Sequence, residues 1–248
     1  RGLWDALLDV MLKWVDAGVR VFRVDNPHTK PFAFWEWLIG EVHQRHDDVL
    51  FLAEAFTRRS VMRQLGKIGF SQSYTYFTWK NARWELTEYV SELAYSGEQE
   101  YFRPNFFANT PDILHEMLQS GLRSVFALRL VLATTLAANF GIYGPVYELL
   151  ESAPREPGSE EYRDSEKYQL RQWDLERAAS LAPLITRMNR IRHDNTALQT
   201  DQGLLFCRVD NEQLMAYVKV DPGSNNAILT VVNLDPHHAQ SGWVDVDI

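Results

Sequence analysis

The sequence predicts an α/β protein in which a parallel sheet is followed by a smaller, antiparallel all-β region. In roughly the first 150 residues, short apolar runs alternate with segments whose apolar residues recur at helical spacing, which is typical of βαβ units. After residue 198, short apolar runs separated by turn residues replace this alternation. With 46% hydrophobic and 23% charged residues, the 248-residue chain has the composition of an ordinary globular protein.

The first predicted helix covers residues 4–15, and Gly18 stands just after it, as a left-handed cap would. Residues 19–24 form a short β-branched run, typical of a parallel strand that is buried on both faces. The pattern then repeats. Further helices are predicted over residues 32–43, 61–67, 82–94 and 115–138, and further strands over residues 49–53, 73–77, 105–108 and 140–143. The series has five strands and starts in mid-repeat, because no strand precedes the first helix.

A polar stretch with many charged residues, 151–173, follows the fifth strand. It is too long for an idle connection in a compact domain, so we expect it to be functional or mobile. Helical spacing resumes over residues 175–192. Strands with turn signals between them are then predicted over residues 204–209, 214–220 and 227–234. We place a domain boundary near residue 198, which divides the chain into residues 1–198 and 199–248.

The charge and the cysteine content argue against several function classes. Asp and Glu number 33 against 25 Lys and Arg, a net charge of −8, so we expect no basic surface that binds nucleic acid. The longest apolar stretch, residues 125–138, contains Arg129 and two threonines, and we interpret it as a buried helix rather than a membrane span. The single cysteine, Cys207, allows no internal disulfide, and we expect a cytoplasmic protein. We find no metal-ligand spacing and predict no cofactor.

Acidic side chains follow three of the predicted strands. Asp25 ends the first strand with Arg23 on the same face, and the arginine favours an ionised carboxylate. Taken alone, this pair is equally well interpreted as a structural ion pair. Glu54 ends the next strand, so two acidic groups reach one rim and can act together on a glycosidic bond. Asp112 follows the fourth strand, where the alternative is an N-cap for the next helix; the coincidence of three acidic endings favours catalysis.

A series of motifs surrounds these residues. The motifs are FRVDNPHTKP at 22–31, AE at 53–54, FSQSYTYFTW at 70–79, RPNFF at 103–107, TPD at 110–112, GIYGP at 141–145 and DSEKYQL at 164–170. The series resembles the conserved regions of the α-amylase superfamily, glycoside hydrolase family 13. Within that superfamily it resembles the bacterial α-1,4-glucan:maltose-1-phosphate maltosyltransferases. A lone arginine–carboxylate motif would be weak evidence for this family. The ordered series is stronger evidence, because it spans most of the first 175 residues.

The resemblance implies the C-terminal part of a (β/α)8 TIM barrel, with about five strands and truncated at its N-terminus, followed by part of an antiparallel β-sandwich domain. The chain is then expected to be a portion of a larger enzyme. Asp25 is implied as the nucleophile that forms a β-linked maltosyl-enzyme, and Glu54 as the general acid and then the base. Asp112 is implied to stabilise the oxocarbenium-like transition state, and Arg23 to keep Asp25 charged.

The resemblance also implies the substrates, maltose 1-phosphate and an α-1,4-glucan, with transfer of maltosyl to the non-reducing end and release of phosphate. Asn26 matches the position beside the leaving phosphate, and Lys167 and Tyr168 match positions that hold the donor sugar. Ordinary amylases have a small residue after the nucleophile and His before the third acidic residue, where this sequence has Asn26 and Pro111. Both departures disfavour plain starch hydrolysis, and an amide at position 26 can donate a hydrogen bond to phosphate.

Two other functions stay open. One is a hydrolase or disproportionating enzyme of the same superfamily that acts on α-glucan without phosphate. The other is a catalytically incomplete carbohydrate-binding or structural fragment, because three strands of a barrel would precede the first residue; the 248-residue chain alone is then expected to have little or no transferase activity. Tyr74, Tyr76 and Trp79 are candidates for stacking on a sugar because they lie on or just after a strand end. The role of His28 and the oligomeric state are left undecided.

Overall fold

The computed structural model describes residues 2–246, so residues 1 and 248, the predicted outer limits of the two domains, lie outside the described part. The chain divides into two compact units. One unit is Arg1–Thr75 with Gly97–Asn105, and the other is Tyr76–Ser96 with Phe106–Ile248. The domain boundary near residue 198 stays a prediction.

Helices and strands alternate along the described residues before a run of strands. The helices are α1 Gly2–Asp16, α2 Phe32–His43, α3 Arg59–Lys67, α4 Arg83–Tyr95, α5 Glu116–Gln119, α6 Arg123–Leu136, α7 Gly144–Glu148 and α8 Ala182–Asp194. The strands are β1 Val21–Asp25, β2 Leu50–Glu54, β3 Gln72–Tyr74, β4 Pro104–Phe107, β5 Asn139–Gly141, β6 Leu204–Val209, β7 Leu214–Val220, β8 Ala227–Asn233 and β9 Val244–Asp245. One sheet has the order β1-β2-β3-β4-β5, with parallel pairing from β1 to β4. The second sheet is antiparallel, in the order β8-β7-β6-β9, so the predicted fold class is confirmed.

Helices α1 to α3 and strands β1 and β2 of the first unit share one apolar core. Leu38 and Val42 of α2, at helical spacing, belong to the same buried cluster as Phe51 of β2. Gly18 follows α1 with a φ of 100°, a conformation that glycine adopts at little cost, as the sequence predicts. This core holds β1 and β2 in parallel register, so their carboxyl ends meet at one edge of the sheet.

The predicted helix over residues 115–138 is wrong, because the chain forms two helices there, α5 and α6. Gly121 lies between them with a φ of 68°, in the left-handed region where glycine is favoured and a right-handed helix stops. His115 caps α5, and its Nδ1 accepts a hydrogen bond from the backbone N–H of Met117 at 3.3 Å. The alternative that Asp112 caps this helix is therefore wrong.

The predicted strand over residues 73–77 ends at Tyr74, and Tyr76–Trp79 forms a 3-10 helix instead. The hydroxyl of Thr75 donates to the carbonyl of Asn105 at 3.1 Å, which holds the chain where the strand ends. The two aromatic residues at the ends of this 3-10 helix are thus placed by a turn and not by strand alternation.

Helix α8 begins at Ala182, several residues later than the predicted start of the helix over residues 175–192. Pro183 lies in its first turn, a position where the fixed φ of proline favours a helix start. The sequence pattern also misses α7 and β9, which are too short to show a periodicity.

The polar stretch 151–173 is tied to itself by backbone hydrogen bonds. The N–H of Arg155 donates to the carbonyl of Glu161 at 2.8 Å, and the N–H of Arg163 donates to the carbonyl of Ala153 at 2.9 Å. Residues 153–155 and 161–163 therefore lie alongside each other, and the rest of the stretch follows them in the chain.

Helix α6 is largely buried, as the apolar stretch predicts, and it packs on the antiparallel sheet within the second unit. The hydroxyl groups of Thr135 in α6 and Tyr217 in β7 lie 2.6 Å apart in a hydrogen bond.

Within residues 2–246, no helix is long and apolar enough to cross a membrane.

The buried cap of α5 makes the stability of the protein depend on pH. His115 is only 6% exposed, and burial, helped by the charge of Arg129, lowers the pKa of its imidazole from 6.5 to about 4. Between these values the unfolded chain binds a proton that the folded chain does not, so the free energy of unfolding falls as the pH falls. This drop amounts to about 3 kcal/mol between about pH 7 and pH 4.

We expect the substitution His115→Asn to remove this dependence, because asparagine can still accept the capping hydrogen bond but does not titrate. Urea-induced unfolding of both proteins at about pH 7 and about pH 4 measures the difference. An equal loss of stability in the wild type and the variant would contradict the assignment to His115.

Candidate active site

The first part of the candidate site lies at the carboxyl ends of β1 and β2. Asp25 stands opposite Glu54 because the two strands pair in parallel register. The Nη2 atom of Arg23 lies 3.6 Å from Oδ1 of Asp25 and 3.4 Å from Oε1 of Glu54. One guanidinium group therefore faces both carboxyl groups, and the structure brings together three residues singled out from the sequence.

The two carboxyl groups have opposite environments. The side chain of Asp25 is 67% exposed to solvent. The side chain of Glu54 is 8% exposed, and its Oε2 is buried without a hydrogen-bond partner among the described residues. Burial raises the pKa of Glu54; the charge of Arg23 lowers it, and the adjacent Asp25 raises it again. The net result is a carboxylic acid that holds its proton more tightly than usual, beside a solvated carboxylate.

Asn26, directly after Asp25, has a left-handed backbone with φ 46° and ψ 51°. Asparagine tolerates this conformation better than most residues. Its N–H donates to the carbonyl of Glu54 at 2.9 Å, and its carbonyl accepts from the hydroxyl of Thr29 at 2.8 Å. The two bonds hold the backbone of Asn26, and its side-chain Nδ2 lies 3.4 Å from Oδ1 of Asp25. The amide predicted to face the phosphate thus lies beside the exposed carboxylate.

The aromatic residue at the end of β3 supports this group from within the same unit. Tyr74 is only 5% exposed, and the guanidinium of Arg23 lies 5.9 Å from the centre of its ring. Phe56 packs edge-on against the same ring, with 6.3 Å between the ring centres. Tyr74 is therefore too buried to serve as a sugar platform and instead packs against Arg23.

Nδ1 of His28 is buried and has no hydrogen-bond partner among the described residues.

The second part of the candidate site belongs to the other unit. Asp112 follows β4, and its backbone N–H donates to Oγ1 of Thr110 at 3.2 Å. Its carboxylate forms an ion pair with Nζ of Lys167, and this contact raises the pKa of the lysine. The ring of Tyr168 is exposed, and its centre lies 5.5 Å from Nζ of Lys167. The structure thus brings three more of the predicted residues together, and a single cleft that holds both groups stays a prediction.

Several polar contacts of the second unit were not found from the sequence. Nε1 of Trp79 donates to Oε1 of Glu160 at 2.8 Å, so this tryptophan is tied to the stretch 151–173. Glu166 accepts hydrogen bonds from Tyr143 and Trp173. These residues lie in or near the motifs given above, and this position is the one sign in the sequence that they could be functional. Their spacing does not predict which of them form hydrogen bonds with each other. Within residues 2–246, no group of His, Cys, Asp or Glu side chains could hold a metal ion.

The fold matches solved structures of α-amylases and of a cyclomaltodextrin glucanotransferase. An α-amylase from H. orenii aligns with a TM-score of 0.72 at 15% identity, over 94% of this chain and 55% of that chain. An α-amylase from Geobacillus thermoleovorans complexed with acarbose gives 0.72 at 14%, over 94% and 53%. The cyclomaltodextrin glucanotransferase CldA gives 0.74 at 14%, over 92% and 47%. The chain therefore has the fold that these α-amylase and glucanotransferase structures share.

Curated relatives give a narrower assignment. The α-1,4-glucan:maltose-1-phosphate maltosyltransferase of Chlorobaculum tepidum is 52% identical over 250 residues, which cover 98% of this chain and 37% of that protein. Maltosyltransferase 1 of Streptomyces coelicolor is 54% identical over 252 residues, which cover 100% and 37%. A family model described as "GLGE, C-terminal" matches residues 206–248. The chain belongs to the α-1,4-glucan:maltose-1-phosphate maltosyltransferase family, and it spans 37% of the length of these two relatives.

Proposed function

We propose that the protein containing this chain transfers a maltosyl group from maltose 1-phosphate to the non-reducing end of an α-1,4-glucan and releases phosphate. The observation that carries the proposal is the pair of carboxyl groups on β1 and β2, which share Arg23 but differ in burial. A buried acid with a raised pKa beside an exposed carboxylate is the arrangement that a retaining glycosyl transfer needs. The names of the relatives support the choice of donor and acceptor.

In the first displacement, a carboxylate oxygen of Asp25 attacks C1 of the donor. The bond from C1 to the phosphate oxygen breaks, and a β-linked maltosyl ester forms on Asp25. Glu54 begins the step protonated, as its raised pKa favours, and gives its proton to the leaving phosphate oxygen. Asn26 donates its amide hydrogen to the departing phosphate, and Arg23 keeps Asp25 in its charged, nucleophilic form.

In the second displacement, the ionised Glu54 takes the proton of the acceptor's 4-hydroxyl group. The hydroxyl oxygen attacks C1, the ester bond breaks, and Asp25 leaves as a carboxylate beside Arg23. Two inversions at C1 retain the α configuration, a course that requires carboxyl groups about 5 Å apart. Asp112 stabilises the positive charge of each transition state, and Lys167 and Tyr168 hold the donor sugar. The predicted cytoplasmic location, which rests on the single cysteine, is part of this proposal.

The test is an assay of the native protein that contains this chain, because we expect the 248-residue chain alone to have little or no activity. With maltose 1-phosphate and a maltooligosaccharide, we expect phosphate to be released as the oligosaccharide grows by two glucose units. If no phosphate appears and starch is hydrolysed or disproportionated instead, the phosphate donor is excluded in favour of the second candidate. The likeness to α-amylase structures is the observation that favours that second candidate.

The substitution Asn26→Gly separates the two candidates further. Glycine adopts the left-handed backbone of position 26 without strain, so this variant removes the amide and keeps the conformation. Loss of a hydrogen bond to a charged phosphate is expected to lower kcat/KM for maltose 1-phosphate by at least about tenfold. Asn26→Ala, which loses the amide and also strains the backbone, is expected to be worse. A Gly variant with unchanged use of the donor would contradict the phosphate contact.

A further inference from the structure

The segment that carries Lys167 and Tyr168 is held by a carboxylate that the proposed reaction does not use. Oε2 of Glu166 accepts a hydrogen bond from the hydroxyl of Tyr143 at 2.6 Å, and Oε1 accepts one from Nε1 of Trp173 at 2.8 Å. Each carboxylate oxygen therefore has its own donor. The bond from Tyr143 and then that from Trp173 lower the pKa of Glu166, so the group stays charged at neutral pH.

The first of the two donors, Tyr143, is itself held by the residues around it. Tyr143 precedes α7, where its backbone N–H donates to Oδ1 of Asn109 at 2.7 Å. Asn109 lies just beyond β4, and its Nδ2 also donates to the hydroxyl of Tyr162 at 2.8 Å. Tyr143 is thus anchored through its backbone N–H to a residue just beyond the end of β4. Through Tyr143, Glu166 is connected to the end of β4, which is the strand that Asp112 follows.

Further contacts close the segment on itself. The N–H groups of Tyr168 and Gln169 donate to the carbonyl of Ser165 at 2.9 and 3.1 Å, which makes a tight turn around Lys167. Nη1 of Arg171 donates to the carbonyl of Asp164 at 2.9 Å, across the base of this turn. The turn is therefore closed by its own hydrogen bonds, and Glu166 connects it to Tyr143.

We propose that Glu166 is a positioning residue, which sets the turn at residues 165–169 so that Lys167 reaches Asp112 and Tyr168 stands beside it. The inference rests on the proposed function, in which Lys167 and Tyr168 hold the donor sugar. An exposed lysine–carboxylate pair contributes little stability by itself, because the flexible lysine loses side-chain entropy when it is held in one place. The placement of the backbone therefore decides whether the pair forms, and Glu166 supplies that placement.

The experiment compares Glu166→Ala, Glu166→Gln and Glu161→Ala in the native protein. Alanine removes both acceptors and is expected to raise KM for maltose 1-phosphate at least about tenfold, since a misplacement of about 1 Å can cost 10²-fold. Glutamine keeps an oxygen for Trp173 and can donate its amide to the hydroxyl oxygen of Tyr143, so it is expected to restore most of the loss. Glu161, in the same stretch but paired with Arg155 at 2.8 Å, is the matched control and is expected to leave KM unchanged.

A combined variant separates positioning from a general structural role. If Glu166 acts through Lys167 and Tyr168, adding Glu166→Ala to the double variant Lys167→Met/Tyr168→Ala is expected to change KM less than about twofold, because both groups it places are already gone. Thermal unfolding of each variant reports the folded fraction, and Tyr143→Phe serves if Glu166→Ala does not fold. Additive effects, or a Glu166→Ala variant equal to Glu161→Ala, would overturn the inference. Absence of phosphate release from the wild type would instead refute the proposed function, and the same variants would then be compared on starch.

Discussion

The substitution Asp25→Asn is expected to lower the rate of the proposed maltosyl transfer by at least about 10⁴-fold, because an amide cannot form the proposed ester intermediate. The side chain of Asp25 is 67% exposed and asparagine has nearly the same shape, so the variant is expected to fold as the wild type does. Phosphate release measures the rate, and thermal unfolding measures the fold. The matched control is Asp48→Asn, which removes an exposed ion pair to Arg20 and is expected to keep full activity.

Glu54→Gln is expected to affect the two displacements unequally. Phosphate leaves readily without a full proton, whereas the acceptor hydroxyl needs a base before it can attack. The second step is therefore slowed more than the first, and the ester on Asp25 accumulates. Mass spectrometry of the denatured variant, after mixing with donor, is expected to show the protein heavier by one maltosyl group. An Asp25→Asn variant within about tenfold of the wild-type rate, or a maltosyl group located on another residue, would contradict these roles.

The substitution Arg129→Met is expected to lower the free energy of unfolding by about 3–5 kcal/mol. Arg129 lies in α6 and is only 3% exposed; its Nη1 donates to the carbonyl of Lys80 at 2.6 Å and its Nη2 to that of Phe77 at 2.7 Å. The guanidinium also lies 4.0 Å from the centre of the Phe77 ring. Burial lowers its pKa to about 10, so the group is charged at neutral pH. Methionine fills the space of the stem and leaves the carbonyls without donors.

Urea-induced unfolding of Arg129→Met and Arg123→Met measures this effect. Arg123 belongs to the same helix but is exposed, and it donates to the carbonyl of Ala179 at 3.1 Å. Its loss is expected to cost less than about 1 kcal/mol. Arg129→Lys keeps the charge and reaches fewer acceptors, so it is expected to fall between the two. Equal stabilities of the Arg129 and Arg123 methionine variants would contradict the importance of the buried guanidinium.

The elements that the sequence predicts best are those whose residues are periodic and locally bounded. Helix α2 and strands β6 and β7 have the predicted limits, because apolar residues at a clear spacing run from one turn signal to the next. The break at Gly121 was missed because apolar residues continue at helical spacing on both sides of it. Only the backbone shows that its φ is 68°, since glycine occurs inside helices as well as after them.

The candidate site likewise contains residues that the sequence predicts and contacts that it does not predict. Asp25 and Glu54 could be predicted because each directly ends a strand, and parallel strands deliver their ends to one edge. The pairing of Asp112 with Lys167 joins residues 55 positions apart through a long loop, and only the family resemblance pointed to both. Glu166 was missed because its two donors are tertiary contacts. The burial that raises the pKa of Glu54 is likewise a property of the packed chain and not of any motif.

The left-handed backbone at Asn26 restricts which side chains evolution or an engineer can place beside Asp25. Glycine, asparagine and aspartate are the residues that enter this conformation most readily. Aspartate would set a further negative charge beside Asp25, and glycine offers no side-chain hydrogen-bond donor. Of these three, asparagine alone combines the required backbone with a neutral donor. Placing a different neutral donor at this position therefore calls for remodelling of the turn that follows β1, because most other side chains would strain the left-handed backbone.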